Sequence, residues 1–148
     1  MDILVESVKL SDLDRFAKKI VPLVKLARVV AFMGPLGAGK TTLIQALARQ
    51  LGITASVTSP TFTYLGVYPM SGGQSLFHFD LYRVTSAAQF YAAGFNEYLG
   101  QPNSFVFIEW PELIRSVLPV HALLVYLEYQ ETDAEQRRIK ILSSNTGG

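Results

Sequence analysis

One stretch limits the fold more than any other: Gly34-Pro35-Leu36-Gly37-Ala38-Gly39-Lys40-Thr41, followed by Thr42. Its pattern is Gly, four residues, then Gly-Lys-Thr. Ahead of it runs Val29-Val30-Ala31-Phe32-Met33, apolar without alternation, as a central strand buried on both faces requires. Behind it, Leu43, Ile44, Leu47, Ala48 and Leu51 recur at helical spacing, and Gly52 is placed to end that helix. Strand, glycine loop and helix in this order predict a phosphate-binding loop. Glycines let successive backbone N–H groups converge on phosphate oxygens without Cβ clashes. The helix opening at Thr41 aims its positive dipole end at the same oxygens. Lys40 adds charge at the outer phosphates, and the Thr41 hydroxyl is suited to ligate Mg²⁺. The expected ligand is a nucleoside triphosphate with Mg²⁺.

Triphosphate chemistry also needs a carboxylate at the end of a neighbouring strand. Two segments supply one: Leu76-Phe77-His78-Phe79 ends in Asp80, and Phe105-Val106-Phe107-Ile108 ends in Glu109. Both belong at the C-terminal edge of the sheet, where ligands of open α/β folds bind. Lys40, Asp80 and Glu109 are the catalytic candidates, and Thr41 and Glu109 the metal candidates. Asp80 is assigned to orient or deprotonate the attacking water, although the two acids are interchangeable at this stage. Ser59-Pro60-Thr61-Phe62-Thr63 lies where many triphosphatases carry a hydroxyl that senses the third phosphate. Spacing alone makes it a proline turn. Tyr82 and Trp110 each follow an acid closely, and a lone tryptophan reads first as core packing. His78 and His121 have no spaced ligand partners and read as structural. Arg83 pairs either with phosphate or Asp80, or in a surface salt bridge.

The rest of the chain yields a coarse element order. Ser11 is expected to cap a helix carried by Leu13, Phe16, Ile20 and Leu23, with Pro22 kinking or shortening its last turn. Residues 62–68 and 75–80 read as a hairpin, 85–93 as a helix turned at Gly94, and 104–108 as a strand. A short helix over 111–118 and an antiparallel pair over 121–129 and 136–142 complete the order. The fold predicted is α/β: a single phosphate-loop domain over residues 1–142, with helices on both faces. Its mixed sheet is parallel at the centre and antiparallel at the flanks. Residues 143–148 are expected to form a flexible tail.

Bulk properties narrow the partners. Net charge is +1, and no basic cluster exceeds two adjacent residues, Lys18-Lys19 and Arg137-Arg138. That argues against tight direct binding of nucleic acid, so any contact with RNA is expected to be indirect. No cysteine is present, which excludes disulfides and thiolate metal sites. Neither a cationic leader nor an apolar run of the ~20 residues a membrane span needs is visible, so a cytoplasmic location is expected. Two alternatives to hydrolysis remain: a small-molecule kinase and a non-hydrolysing nucleotide switch. A kinase needs an acceptor pocket and usually a basic lid, for which 148 residues leave little space.

Five segments, GPLGAGKTT from Gly34, SPTFT from Ser59, HFDLYR from His78, GFNEYL from Gly94 and IEWPE from Ile108, occur in one order. Together they resemble the bacterial tRNA threonylcarbamoyladenosine biosynthesis ATPases of the TsaE/YjeE type, over roughly residues 10 to 140. The resemblance implies a cytoplasmic ATPase binding ATP and ADP with Mg²⁺. It also implies a role in placing a threonylcarbamoyl group on adenosine 37 of tRNA. The implied partners are a sugar-kinase-like catalytic subunit and its paralogue, whose complex hydrolysis resets. It assigns functional positions to Lys40, Thr41, Thr42, Ser59, Thr61, Asp80, Tyr82, Glu109 and Trp110, with Ser59, Thr61, Tyr82 and Trp110 in switch roles. Pro35 stands where an acid commonly follows the first loop glycine, and Asn96 where an acid is frequent.

Overall fold

The computed structural model describes residues 2–60 and 63–144. Seven strands, β1 (Asp2–Lys9), β2 (Val29–Met33), β3 (Leu65–Pro69), β4 (Ser75–Asp80), β5 (Ser104–Glu109), β6 (Leu123–Gln130) and β7 (Asp133–Ser143), form one sheet. Their spatial order is β1-β7-β6-β2-β5-β4-β3. β2 pairs in parallel with β5 and β6, and β4 in parallel with β5. The pairs β1–β7, β6–β7 and β3–β4 are antiparallel. The centre is therefore parallel and the flanks antiparallel, as expected.

Every residue of β2 is buried because the strand faces a core on both sides. Val30 and Phe32 pack beneath α1 (Leu13–Ala27) and α2 (Lys40–Gln50). Val29, Ala31 and Met33 face the opposite cluster, which α3 (Ala87–Ala92) covers through Phe90 and a 3-10 turn over Glu112–Val117 covers through Ile114. Burying each such large side chain stabilises the fold by roughly 1.5–3 kcal/mol. The same two-residue period places Phe105, Phe107 and Glu109 on the α1–α2 side of β5, and Leu76, His78 and Asp80 on that side of β4. Apolar residues thus anchor each strand, and its terminal acid emerges at the sheet edge.

Several local expectations change. Ser11 lies inside a 3-10 turn, Leu10–Asp12, and the N-cap of α1 is Asp12, whose side chain makes no capping bond. Pro22 does not shorten α1, which continues to Ala27 with Val24 and Ala27 buried beyond it. Packing of that face outweighs one missing N–H. The segment over 111–118 is 3-10 rather than α. β1 was not anticipated. It pairs with β7 across nearly the whole chain and leaves Ile3 and Val5 exposed at the sheet edge. Ser143 is the last residue of β7, paired with Leu123, and the Ser144 N–H donates to the Ala122 carbonyl, so both continue the β6–β7 pairing. Residues 145–148 lie outside the described residues.

Candidate functional site

The turn after β2 approaches β6 so closely that a Cβ on Gly34 would collide with the Leu127 carbonyl oxygen. A Cβ on Gly37, at φ 78°, would stand 2.8 Å from the Tyr129 hydroxyl. Glycine is needed at both positions for space as well as for backbone conformation. The Ala38 N–H closes the turn on the Pro35 carbonyl at 3.2 Å. Behind the loop, Tyr129 donates its hydroxyl to the Leu36 carbonyl at 2.7 Å. The buried Arg137 donates Nε to the Ala38 carbonyl at 3.0 Å and stacks over the Tyr129 ring. With a further contact from the Arg137 guanidinium to the Gly37 carbonyl at 3.5 Å, the carbonyls of Leu36, Gly37 and Ala38 are all held from behind the loop. Tyr129 and Arg137 were missed by sequence reasoning. A basic residue inside an apolar-alternating strand was the one available signal.

A cleft of ≈ 290 Å³ opens above the loop. Leu36, Gly37, Gly39, Lys40, Thr41 and Thr42 form one wall, and Ser59, Asp80, Tyr82, Glu109 and Trp110 the other. Gly34, Pro35 and Ala38 lie outside this lining and shape the turn from below. The expected loop, acids, Ser59 and two aromatics are brought together. Thr61 lies outside the described residues.

Thr41 Oγ1 stands at the centre, donating to Glu109 Oε1 at 3.0 Å and lying 3.3 Å from Ser59 Oγ. Ser59 is carried there by an anchored loop: Gln45 on α2 donates to the Val57 carbonyl, and Tyr68 on β3 bonds both backbone groups of Thr58. Asp80 and Glu109 are register partners across β4–β5, and Asp80 Oδ1 accepts the Tyr82 N–H at 3.1 Å. Burial, reinforced by the nearby Glu109 charge, pushes the Asp80 carboxyl above the usual carboxylate range. The Glu109 carboxylate is bonded from the other side by His78 Nε2 at 2.8 Å. His78, read as structural, therefore touches the site.

Lys40 is almost wholly buried, donates to the Gly34 carbonyl and places Nζ 3.3 Å from the Trp110 ring centroid. Burial pulls its ammonium below the ordinary lysine range, while Glu109, Glu112 and Asp80 act against that shift. Trp110 is half-buried, packing against the core cluster and lining the cleft. It takes φ 58°, rare for a bulky side chain, and its ring lies 4.9 Å from that of Tyr82. Such strain is held where surrounding contacts over-determine it, here the Lys40 cation and the Tyr82 ring.

Hard oxygen donors suit Mg²⁺, which binds through one or two carboxylates, a hydroxyl, waters and substrate phosphates rather than an all-protein cage. Thr41 Oγ1 and Glu109 Oε1, side by side at the loop, fit that requirement. No cluster of three or more His, Cys, Asp or Glu side chains suited to a metal occurs among the described residues.

Comparison with known proteins gives a consistent answer. The profile of the family described as "Threonylcarbamoyl adenosine biosynthesis protein TsaE" matches residues 7–139. A tRNA threonylcarbamoyladenosine biosynthesis protein TsaE of Haemophilus influenzae is 34% identical over 139 residues, covering 90% of this chain and 85% of its own. The protein of that name from Aquifex aeolicus is 33% identical over 145 residues, 95% of this chain and 98% of its own. The crystal structure of Bacillus subtilis YdiB superposes with a TM-score of 0.69 at 26% identity, covering 99% of this chain and 90% of that one. Matched by this family's profile over residues 7–139 and by relatives more than 30% identical across nearly its whole length, the chain belongs to the TsaE family of threonylcarbamoyl adenosine biosynthesis proteins.

Proposed function

We propose that this chain binds ATP with Mg²⁺ in the cleft above residues 34–42 and hydrolyses it as the ATPase of tRNA threonylcarbamoyladenosine synthesis. One observation carries the reading: the phosphate loop faces two strand-end acids, with Thr41 bonded to Glu109 and Asp80 beside it at the same sheet edge. The relatives named for tRNA threonylcarbamoyladenosine biosynthesis support the pathway.

When bound, Mg²⁺ neutralises phosphate charge as a Lewis acid. The loop N–H groups and the α2 N-terminus bind and orient the phosphates. Lys40 leaves Gly34 and Trp110 to stabilise charge on the outer phosphates. Thr41 and Glu109 would hold the metal. Asp80, made a stronger base by its burial, orients the attacking water through its carboxylate and accepts its proton. Ser59 and Thr61 supply hydroxyls that distinguish triphosphate from diphosphate. Tyr82, more than half exposed, and Trp110 carry that state to the cleft mouth.

The cleft mouth is open, and the partner complex is proposed to be the sugar-kinase-like tRNA-modifying subunit with its paralogue. Contact with tRNA would run through them, since the chain carries a net charge of only +1. No helix among the described residues is long and apolar enough to cross a membrane. The test is phosphate release from Mg-ATP, measured alone and with the heterodimer. Slow release alone and a changed rate with the partners are expected. No release under either condition would overturn the hydrolase reading.

A further inference from the structure

We infer that His78 is a positioning residue for Glu109, an inference that rests on the Mg-ATPase reading above. His78 is fully buried on β4 and Glu109 nearly so on β5. Nε2 of His78 lies 2.8 Å from Oε2 of Glu109, while Oε1 of the same carboxylate accepts the Thr41 hydroxyl. Each carboxylate oxygen thus has one donor, from opposite sides. The other imidazole nitrogen, Nδ1, is buried without a hydrogen-bond partner among the described residues.

That orphan atom decides the direction of the bond. A proton on Nδ1 would bury an N–H with no acceptor. The tautomer with its proton on Nε2 leaves only an unpartnered lone pair at Nδ1. The bond therefore runs from the His78 Nε2–H to Glu109 Oε2.

β4 is otherwise Leu76, Phe77 and Phe79 at its buried positions. An apolar side chain at 78 would remove the orphaned Nδ1 but leave the buried Glu109 Oε2 without its donor. What histidine adds is control over the carboxylate. With Oε2 held from behind, Glu109 cannot rotate, and Oε1 stays presented to Thr41 and the cleft. Partners that orient a ligating side chain characteristically affect metal affinity or activity by ~10–100-fold when lost.

The experiment compares His78→Leu with His78→Gln, whose amide nitrogen can take the place of Nε2 as donor. In His78→Leu, either kcat falls or the half-saturating Mg²⁺ concentration rises by ~10–100-fold. Metal-free ADP affinity is expected to stay within about threefold, and His78→Gln to recover most of the loss. Wild-type kcat and Mg²⁺ requirement in a folded His78→Leu, or a His78→Gln no better than leucine, would overturn the inference. A second readout needs no variant, metal or nucleotide: imidazole nitrogen spectra of the ¹⁵N-labelled wild-type chain. A slowly exchanging Nε2–H is expected, and an Nδ1–H would overturn the assignment. If the wild-type chain releases no phosphate, the ATPase reading fails while these spectra still decide the hydrogen bond.

Discussion

Replacing Lys40 by methionine keeps the stem and removes the charge, and the expected cost follows from where the ammonium rests. In the free protein it is already engaged, with the Gly34 carbonyl and the Trp110 ring. Moving to the phosphates exchanges contacts rather than adding them. Two charge-assisted bonds to phosphate contribute about 4.5 kcal/mol, and the single bond to Gly34 given up costs about 1.5 kcal/mol. Release from the Trp110 face costs about 1 kcal/mol more. About 2 kcal/mol remains, so Lys40→Met should weaken ATP about 30-fold. Fluorescent-ATP titration of the folded variant measures this. The same arithmetic predicts a coupling. With Trp110→Leu the resting contact is gone, and Lys40→Met should cost about fivefold more than in the wild-type background. ATP affinity within threefold of wild type for Lys40→Met would refute the phosphate role. A strictly additive pair would refute the resting contact as a competitor.

Asp80→Asn and Glu109→Gln should each lower hydrolysis by ~10²–10⁴-fold while retaining the fold, measured by phosphate release and circular dichroism. Wild-type rates in both would remove the assignment of the acids. Because burial raises the Asp80 carboxyl above its ordinary value, the folded chain binds that proton more tightly than the unfolded chain. Its contribution to stability is present at low pH and is lost as pH rises through the folded value. Calorimetry of nucleotide-free Asp80→Asn should therefore show an unchanged or higher Tm at pH 7, with any advantage over wild type shrinking as pH falls. A lower Tm at pH 7 would contradict this. Arg137→Met removes the donors from the loop carbonyls and should weaken ATP by ~10-fold, whereas Tyr129→Phe, losing one neutral bond of about 0.5–1.5 kcal/mol, should do less. Unchanged affinity in a folded Arg137→Met would show that the loop keeps its shape without the guanidinium.

Features carried by neighbours in the chain were legible in advance. Strand, glycine loop and helix between Val29 and Gly52 are set by local apolar periodicity and by Cβ sterics, and the structure has them in that order. Asp80 and Glu109 were found because each closes an apolar run, and a strand that packs its interior must release its polar terminus at the sheet edge. The family's segment order added Ser59, which spacing alone had assigned to a turn, Trp110, which it had assigned to core packing, and Tyr82, noted only for following an acid.

What escaped the sequence are contacts between distant parts of the chain. His78 meets Glu109 across 31 residues, Tyr129 reaches Leu36 across 93, and Arg137 reaches Ala38 across 99. β1 is a strand because β7 lies beside it, not because of a decisive pattern of its own. By itself, then, the sequence determined the phosphate loop, its supporting strand and helix, and the two acids, since these depend on residue type and nearest-neighbour spacing. Tertiary structure alone decided which carbonyls are held, which way Glu109 faces and where Lys40 rests. Those depend on contacts with residues far along the chain, Arg137, His78 and the Trp110 ring, that come together only when the sheet order closes.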